Sequence, residues 1–502
     1  MIAPTTLLEL LHLAPGERTA VIVPELNLRI SYDSLRRQVM AVADALAAAG
    51  IRHGNRVAIV QPNGLPAIVC FLAAAMTGTA APLNPAYPYE EFHFFLGDTS
   101  AHLLLCPHLG AEQARAAAVD RGIRVLSVVM DPQGTVHIVQ KREGTPAVPP
   151  TADDVALILH TSGSTGRPKR VPLQQSNLAV SACNVANTYS LTPDDVSLCI
   201  MPLFHIHGLV ASTLAALFSG GTVVVPTKFN PLNFWRTVHD HRVTWYSAVP
   251  TMHQLLLTRA HGHKHHAGSL RFIRSASAPL SPETIHKMEE IFSVPFVEAY
   301  GMTEASHQMS SNPLPPKHRK PGSVGQATGI QISIMDAQGH HLPAGYRGEV
   351  VIKGPSVFEG YENNPEANAS AFVDRWFRTG DQGVLDHDNY LQLTGRIKDL
   401  IIRGGENVSP REVDEVLLAH AAVAEAVTFP MPHLTLGEEV AAAVVLHETG
   451  GANESALLKH CRDRLAEYKC PKKIFIVHNI PLTATGKVRR KQVAASILDG
   501  RP

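Results

Sequence analysis

The segment Thr161-Ser-Gly-Ser-Thr-Gly-Arg-Pro-Lys169 carries the strongest chemical signal in the sequence. It directly follows an apolar run at 156–160 that is typical of a buried strand. Its two glycines let the backbone approach a ligand closely, and its hydroxyl groups and the Lys169 ammonium suit a polyphosphate. The spacing is not that of a Walker loop. A loop of this composition is usually only a turn, but its length and its place behind a strand favour phosphate binding.

Tyr300-Gly-Met-Thr-Glu304 follows a second strand-like run at 295–299. A carboxylate beside a hydroxyl at the end of a strand suits a magnesium ion that carries phosphates. Glu304 alone is equally typical of an ordinary acidic residue at a helix start.

Two shorter segments add charged groups. Asp381, in Thr379-Gly-Asp381, is followed fifteen residues later by Arg396. A carboxylate can accept hydrogen bonds from both hydroxyls of a ribose, and an arginine adds donors, although the pair alone is equally typical of a surface turn with an ion pair. Lys487 is the last residue of the segment 481–487, directly after a Thr-Gly turn. A lysine in such a place is most often an ordinary solvated charge.

The elements that must position these residues alternate between strands and helices. Apolar strand-like runs at 56–60, 156–160, 222–225 and 243–249 predict an α/β architecture. The run Ala67 to Leu83 predicts a buried helix that leads into a strand.

Later segments have a different pattern. Residues 331–352 predict a small unit of short strands joined by turns. After a boundary near residues 395–398, about 100 residues predict a separate α+β domain, with one of its helices at 454–466.

Composition excludes several classes of protein. Lys plus Arg and Asp plus Glu each number 44, so the chain lacks the basic excess of a nucleic-acid binder. Its six cysteines form no C-x-x-C pair, which indicates free thiols rather than a zinc or redox site. We expect no membrane span, no secretory signal, a cytoplasmic location and no obligatory protein partner. The histidine-rich run 261–266 is expected to be a solvated loop.

The four segments, in this order and at these spacings, resemble the adenylate-forming superfamily, which includes acyl-CoA synthetases, peptide-synthetase adenylation domains and beetle luciferases. The resemblance extends from about Leu28 to Arg490, and segments 204–208, 348–350 and 403–407 also match. It implies an enzyme that uses ATP and Mg²⁺ to convert a carboxylic acid into an acyl-adenylate and then into a coenzyme A thioester.

The resemblance also assigns roles to residues. Those expected to bind the departing pyrophosphate are Thr161, Ser162, Gly163, Ser164, Thr165, Gly166 and Lys169. Those expected around the adenine and the α-phosphate are Ser277, Ala278, Pro279, Glu298, Ala299, Tyr300, Gly301, Met302 and Thr303. Thr165 and Glu304 would place Mg²⁺, and Asp381 and Arg396 would bind the ribose. Catalysis is expected to depend on Lys487, Glu304, Thr165 and Lys169.

Two reactions at one site imply a domain that moves. The resemblance divides the chain into an N-terminal adenylation domain (1–395), a hinge (396–398) centred on Lys398, and a mobile C-terminal domain (399–502). Lys487 would reach the acid during adenylation. The domain would then turn and bring Arg403, Gly404 and Gly405 to the site, where they would form the coenzyme A tunnel.

Several segments are close to plant and fungal oxalate–CoA ligases, namely 202–208, 245–251, 270–277, 298–307 and 309–315. This similarity favours oxalate as the acid. Residues expected to surround it are His205, His207, Ser275, Ser277 and His307, although His205 and His207 are equally typical of satisfied core residues. The bulk of Trp245, Tyr246 and Met302 is expected to close off a longer tunnel.

Other functions stay open at this stage. The acid could instead be another short-chain, aryl or fatty acid, and a non-catalytic member of the fold is a further alternative. A peptide-synthetase role is disfavoured because no carrier domain follows Pro502. Arg170 departs from the family, which usually has glycine there, and arginine does not easily adopt a positive φ. The geometry of the loop is therefore an open question.

Overall fold

The structure, a computed structural model, describes residues 4–139, 144, 146–161, 168–260, 267–447, 450–481, 488 and 490–498. Three predicted features lie outside these residues: the phosphate-loop residues Ser162, Gly163, Ser164, Thr165 and Gly166, the histidine-rich run 261–266, and Lys487.

The described α-helices are distributed along the whole chain. They are α1 (Leu7–Leu11), α2 (Tyr32–Ala48), α3 (Leu65–Thr77), α4 (Tyr89–Asp98), α5 (Glu112–Asp120), α6 (Gln175–Thr188), α7 (Ala215–Phe218), α8 (Phe234–Asp240), α9 (Pro250–Thr258), α10 (Pro282–Phe292), α11 (Pro365–Ala371), α12 (Pro410–Leu418), α13 (Glu454–Arg462) and α14 (Arg490–Leu498). A π-helix at His207–Leu214 precedes α7, and 3₁₀ turns lie at Pro24–Leu26, Thr303–Ala305, Ile397–Asp399 and Glu467–Lys469.

The described strands form four sheets. They are β1 (Thr19–Val23), β2 (Leu28–Ser31), β3 (Arg56–Ile59), β4 (Thr79–Pro82), β5 (Leu103–Pro107), β6 (Arg124–Met130), β7 (Val136–Ile138), β8 (Val155–Thr161), β9 (Lys169–Gln174), β10 (Val196–Leu198), β11 (Thr222–Val224), β12 (Trp245–Ala248), β13 (Phe272–Ser275), β14 (Phe296–Met302), β15 (His307–Ser311), β16 (Gln326–Ala327), β17 (Gln331–Met335), β18 (His341–Leu342), β19 (Arg347–Lys353), β20 (Phe372–Val373), β21 (Trp376–Leu385), β22 (Leu391–Arg396), β23 (Ile401–Arg403), β24 (Glu406–Val408), β25 (Val423–His433), β26 (Gly437–Leu446) and β27 (Lys473–Ile476).

Two large sheets build the first part of the chain. One has seven strands in the order β7-β6-β5-β3-β4-β8-β9, and the other has nine in the order β16-β15-β14-β13-β12-β10-β11-β1-β2. Their central strands are parallel, and antiparallel strands close the edges. Helix α3 is buried along its length except at Pro66, which fits an apolar helix packed on all sides. The predicted buried helix and the α/β architecture are therefore confirmed.

Two smaller sheets complete the fold. Residues 331–396 form an antiparallel sheet from β17 to β22, which includes the small β unit predicted for 331–352. The fourth sheet contains only strands from β23 onward and packs with α12, α13 and α14. Between these sheets, the chain passes through the 3₁₀ turn Ile397–Asp399.

Two predicted boundaries differ from the observed ones. The strand predicted to end at Ala299 continues to Met302, because its end pairs with the antiparallel β15. The helix expected to reach Ala466 ends at Arg462. All six cysteines are free thiols, as predicted. Over the described part of the chain, no helix is both long and apolar enough to cross a membrane.

Candidate active site

A cavity of 1430 Å³ lies where the two large sheets, the small antiparallel sheet and the C-terminal unit meet. Most of the predicted site residues that the structure describes line it. These are Thr161, Lys169, His205, Ser275, Ser277, Ala278, Pro279, Glu298, Ala299, Tyr300, Gly301, Met302, Thr303, Glu304, His307, Asp381, Arg396 and Lys398. The fold therefore brings together residues that are more than 200 positions apart in the sequence.

The predicted phosphate loop connects two antiparallel strands. Thr161, the last residue of β8, pairs with Lys169, the first residue of β9. The Lys169 ammonium lies over the ring of Tyr361, 4.5 Å from its centre. A cation is thus fixed at the base of the loop, on the side that faces the cavity.

Arg170 is part of β9 and does not adopt a positive φ, so the position does not need the glycine that the family usually has there. Its guanidinium pairs with Glu362 at 2.9 Å and also contacts Asp98, and its carbonyl accepts a hydrogen bond from the Glu362 N–H at 3.1 Å. Arg56 pairs with the same Glu362 carboxylate. Arg170 therefore ties the loop hairpin to the segment that carries Tyr361.

Glu304 lies in the 3₁₀ turn after β14, and only 5% of its surface is exposed. The Tyr361 hydroxyl donates to its Oε1 at 2.9 Å. Burial raises the pKa of this carboxyl, while the nearby charges of Arg396 and Lys169 act in the opposite direction. A buried carboxylate that accepts from a neutral hydroxyl and lies near two positive charges can bind a divalent cation, provided that this cation also carries anionic ligands.

This carboxylate fits the magnesium ion that the resemblance implies. No group of three or more His, Cys, Asp or Glu side chains among the described residues could hold a metal alone. Mg²⁺ commonly uses one or two protein carboxylates and takes its other ligands from substrate phosphates and water. Glu304 is the described residue that would hold it, and the predicted second ligand, Thr165, lies outside the described residues.

Asp381 and Arg396 are direct partners on neighbouring strands. β21 and β22 place them opposite each other, which explains their separation of fifteen residues. The Arg396 Nε donates to Asp381 Oδ1 at 2.8 Å, and the Tyr300 hydroxyl donates to Oδ2 at 2.5 Å. This arrangement orients a buried carboxylate with remaining lone pairs, which is what binding two vicinal hydroxyls requires.

Glu298 lies at the boundary between the large sheet and the C-terminal unit. Its Oε2 accepts a hydrogen bond from the Gly322 N–H at 3.0 Å. Burial raises its pKa to about 8, while Arg411 of α12 acts to lower it and Glu415 to raise it. The carboxyl of Glu298 therefore holds its proton near neutral pH when the C-terminal unit packs beside it.

Replacing Glu298 with glutamine should stabilise the ligand-free protein increasingly as pH rises from about 4.5 to 8. In this interval the folded carboxyl keeps a proton that the unfolded chain has lost. The free energy of unfolding of the parent protein therefore falls as pH rises. Glutamine can accept the same hydrogen bond and does not titrate. Thermal unfolding from pH 4.5 to 9 measures the difference, with Glu283→Gln as an exposed control. A difference in Tm independent of pH would show that Glu298 does not titrate in this way.

The polar residues predicted to surround the acid, His205, Ser275, Ser277 and His307, also line the cavity. Two of them have a strained backbone, with φ of +75° at Ser277 and +106° at His307. Such torsions are unfavourable for L-residues and concentrate at functional sites. Gly301 is required beside them, because a Cβ there would lie 1.9 Å from the carbonyl oxygen of His307.

His207 does not line the cavity but lies directly behind it. It is fully buried at the start of the π-helix, with Nδ1 3.1 Å from Ser277 Oγ and Nε2 2.6 Å from Ser247 Oγ. Its ring centre is 4.9 Å from that of His307. His207 is therefore a satisfied core residue that contacts two cavity-lining residues, Ser277 and His307.

Sequence reasoning missed Arg274, which is completely buried on β13. Its guanidinium forms no ion pair with any described carboxylate. Its partners are instead five neutral atoms: the Tyr189 hydroxyl (2.9 Å), Ser247 Oγ (2.7 Å), His207 Nε2 (3.3 Å), His307 Nδ1 (3.5 Å) and Gln308 Oε1 (3.0 Å). The signal that could have revealed it is an arginine directly after Phe272 and Ile273 in a segment with the look of a buried strand.

The expectation that Trp245 and Tyr246 close off a tunnel is wrong. Successive residues of a strand point to opposite faces. Trp245 stacks on Phe272 at 5.5 Å in one core, and Tyr246 packs against Phe234 at 4.8 Å in another. Neither lines the cavity, whereas Met302 does.

The predicted coenzyme A residues do not line the cavity in this arrangement. Arg403 pairs with Glu439 at 2.5 Å, and the Gly404 N–H donates to the Leu436 carbonyl at 2.9 Å, so both are held within the C-terminal unit, as is Gly405 between β23 and β24. Ile480 and Val488, which flank the segment containing Lys487, do line the cavity. The structure therefore presents one side of the C-terminal unit to the site and keeps the Arg403 turn away from it.

Comparisons with known proteins agree with this geometry. Residues 12–362 match the family model described as AMP-binding enzyme, and residues 412–487 match the AMP-binding enzyme C-terminal domain. The chain is 44% identical to a probable CoA ligase, CCL9, of Humulus lupulus, over 96% of this chain and 94% of that protein. It is 42% identical to the oxalate–CoA ligase of Arabidopsis thaliana, over 97% of this chain and 96% of that protein.

A solved structure shares the complete fold. The crystal structure of ATP-bound MatB from Rhodopseudomonas palustris has a TM-score of 0.90 and 32% sequence identity, and the similarity covers 98% of both chains. The arrangement of the large and small units seen here is thus similar to one observed with ATP bound.

Proposed function

Because the chain belongs to the AMP-binding enzyme family and is an ATP-dependent acid–CoA ligase, we propose that its acid substrate is oxalate. One carboxylate of oxalate attacks the α-phosphorus of ATP and displaces pyrophosphate, which gives oxalyl-adenylate. The thiol of coenzyme A then attacks the activated carbonyl carbon, and AMP leaves with the bonding electron pair.

The observation that carries this proposal is the polar end of the cavity, where His205, Ser275, Ser277 and His307 stand together. A fatty or aryl chain would displace water from these polar side chains without offering them a hydrogen bond of its own, which is unfavourable in a buried site. Oxalate has no chain to bury, and its second carboxylate lies one bond from the reacting one. The 42% identity to a plant oxalate–CoA ligase over nearly the whole chain supports the same acid.

In the first step, the chain's own groups hold and orient the nucleotide. Lys169 and the loop before it would hold the β- and γ-phosphates, and Asp381 would accept hydrogen bonds from the ribose hydroxyls. Mg²⁺, when bound, neutralises phosphate charge and favours departure of pyrophosphate. Lys487 would stand between the carboxylate and the α-phosphate, where its charge offsets the repulsion of two anions.

In the second step, the lysine must leave the site so that coenzyme A can enter. We place the hinge at residues 396–398, with units 1–395 and 399–502 on either side. Lys398, in the 3₁₀ turn Ile397–Asp399, lines the cavity. Rotation about this turn would exchange the side that carries Lys487 for the Arg403-Gly404-Gly405 turn, which would form the coenzyme A tunnel.

A panel of acids with ATP and coenzyme A tests the substrate. Oxalate should give the highest kcat/KM against malonate, hexanoate and coumarate. His307→Ala should lower the value for oxalate about 10²-fold or more, the scale of one lost hydrogen bond to a charged group. His286→Ala, on the outer part of α10, is the control and should leave it unchanged. A better result with another acid of the panel would refute oxalate while leaving the ligase activity in place.

A further inference from the structure

The guanidinium of Arg274 sits directly behind the acyl site without a counter-ion. Its side chain is fully buried, and its five N–H groups face the five neutral acceptors described above. Arginine stays protonated under all ordinary conditions and can only donate. The acyl site is therefore backed by a permanent positive charge.

Because Arg274 can only donate, it determines which ring nitrogen of His207 and of His307 carries the proton. His207 Nε2 lies 3.3 Å and His307 Nδ1 3.5 Å from the guanidinium, so a hydrogen bond from Arg274 requires each nitrogen to accept, and Ser247 Oγ, 2.6 Å from His207 Nε2, then donates to that nitrogen. The ring proton of each histidine then lies on its other nitrogen. For His207 this is Nδ1, which donates to Ser277 Oγ at 3.1 Å. For His307, which lines the cavity, it is Nε2.

An arginine held only by neutral groups is costly to bury unless an anion comes close when the substrate binds. Glu298 belongs to the adjacent strand β14 but bonds to Gly322 and faces Arg411 and Glu415. Asp195 is already paired with Arg271, which precedes β13, and with Thr244. Neither carboxylate therefore serves as a counter-ion for Arg274, whose charge is left to act on an anion bound in the cavity.

We propose that Arg274 is a positioning and specificity-determining residue of the acyl site. It holds His207 and His307 in single neutral tautomers, so that His307 Nε2–H donates to the second carboxylate of the acid, and its charge selects for acids that carry that second carboxylate. This inference rests on the proposed function, since it assigns the second carboxylate of oxalate to the side of the cavity backed by Arg274.

Oxamate provides the sharpest test, because it has the shape of oxalate with one carboxylate replaced by a neutral amide. The parent enzyme should prefer oxalate over oxamate in kcat/KM, and Arg274→Gln should reduce that preference about 30-fold. Arg274→Lys, which keeps the charge but not the fork of donors, should retain part of it. Arg271→Lys is the matched control, because Arg271 precedes the same strand and pairs with Asp195; its preference should equal that of the parent.

A second pair of variants tests the tautomer without removing the buried arginine. Glutamine places its amide where the Nε2 of histidine stands, and asparagine places it where Nδ1 stands. His307→Gln should therefore keep about tenfold more oxalate activity than His307→Asn. Equal activities of these two variants, or an unchanged oxalate-to-oxamate ratio in Arg274→Gln, would overturn the proposal.

The two proposals fail in different ways. If the parent prefers another acid with two carboxylates but the ratio falls in Arg274→Gln, oxalate is wrong and the role of Arg274 stands. If the parent prefers oxalate and the ratio does not change in Arg274→Gln, the substrate stands and the role of Arg274 is wrong. If Arg274→Gln does not fold, the His307 pair alone decides.

Discussion

Replacing Glu304 with glutamine should slow adenylate formation about 10³-fold, equivalent to about 4 kcal/mol of barrier. Glu304 is the buried carboxylate that would hold Mg²⁺ beside the phosphates, and its Oε1 accepts a hydrogen bond from Tyr361. Glutamine preserves the shape and an acceptor for Tyr361 but removes the charge. Exchange of labelled pyrophosphate into ATP measures this step directly.

A metal titration separates loss of the charge from general damage. Burial raises the pKa of Glu304, so protons should compete with Mg²⁺, and the parent should need more Mg²⁺ as pH falls. Glu304→Gln should lose that pH dependence. Glu91→Gln, an exposed residue at the same cavity, is the control and should behave like the parent. A loss smaller than tenfold in Glu304→Gln would exclude Glu304 as the metal ligand.

Replacing Lys487 with alanine should slow adenylate formation at least about 10²-fold, or roughly 2.7 kcal/mol of barrier, because one electrostatic partner of the transition state is lost. The same variant, supplied with preformed acyl-adenylate and coenzyme A, should form the thioester at nearly the parental rate. This split follows if Lys487 leaves the site before the second step.

The control for this variant is Lys472→Ala, since Lys472 is an exposed lysine of the same unit. It should leave both half-reactions unchanged. Equal loss of both half-reactions in Lys487→Ala would refute the alternation of the C-terminal unit and would assign the lysine a role common to both steps.

The sequence identified residues that meet in the cavity because they occur in compact segments at strand ends. Asp381 and Arg396 illustrate this, since their separation is that of two paired strands joined by a turn. Lys169 and Glu304 could likewise be found from their segments. Tyr361, which contacts both, could not, because it comes from an irregular stretch without a pattern of its own.

The surroundings of the proposed acyl residues were predicted less completely because their contacts are set by packing. Trp245 and Tyr246 were assigned together although adjacent strand residues face opposite ways. Arg274 looked like an ordinary charge, and only the packing of β12, β13 and β15 shows that it is fully buried. The division at 395–399, the roles of Arg403, Gly404, Gly405 and Lys487, and the cytoplasmic location stay predictions.

The acceptors around Arg274 also bear on how the chain acquires its structure during synthesis. Tyr189, His207 and Ser247 precede the arginine, but Gln308 follows it by 34 residues, and His307 by 33. Until those last residues leave the ribosome, a desolvated guanidinium would lack two of its acceptors, so it should remain hydrated. The adjoining strands can therefore close over it only after β15 has been made, which imposes an order on the assembly of the largest sheet.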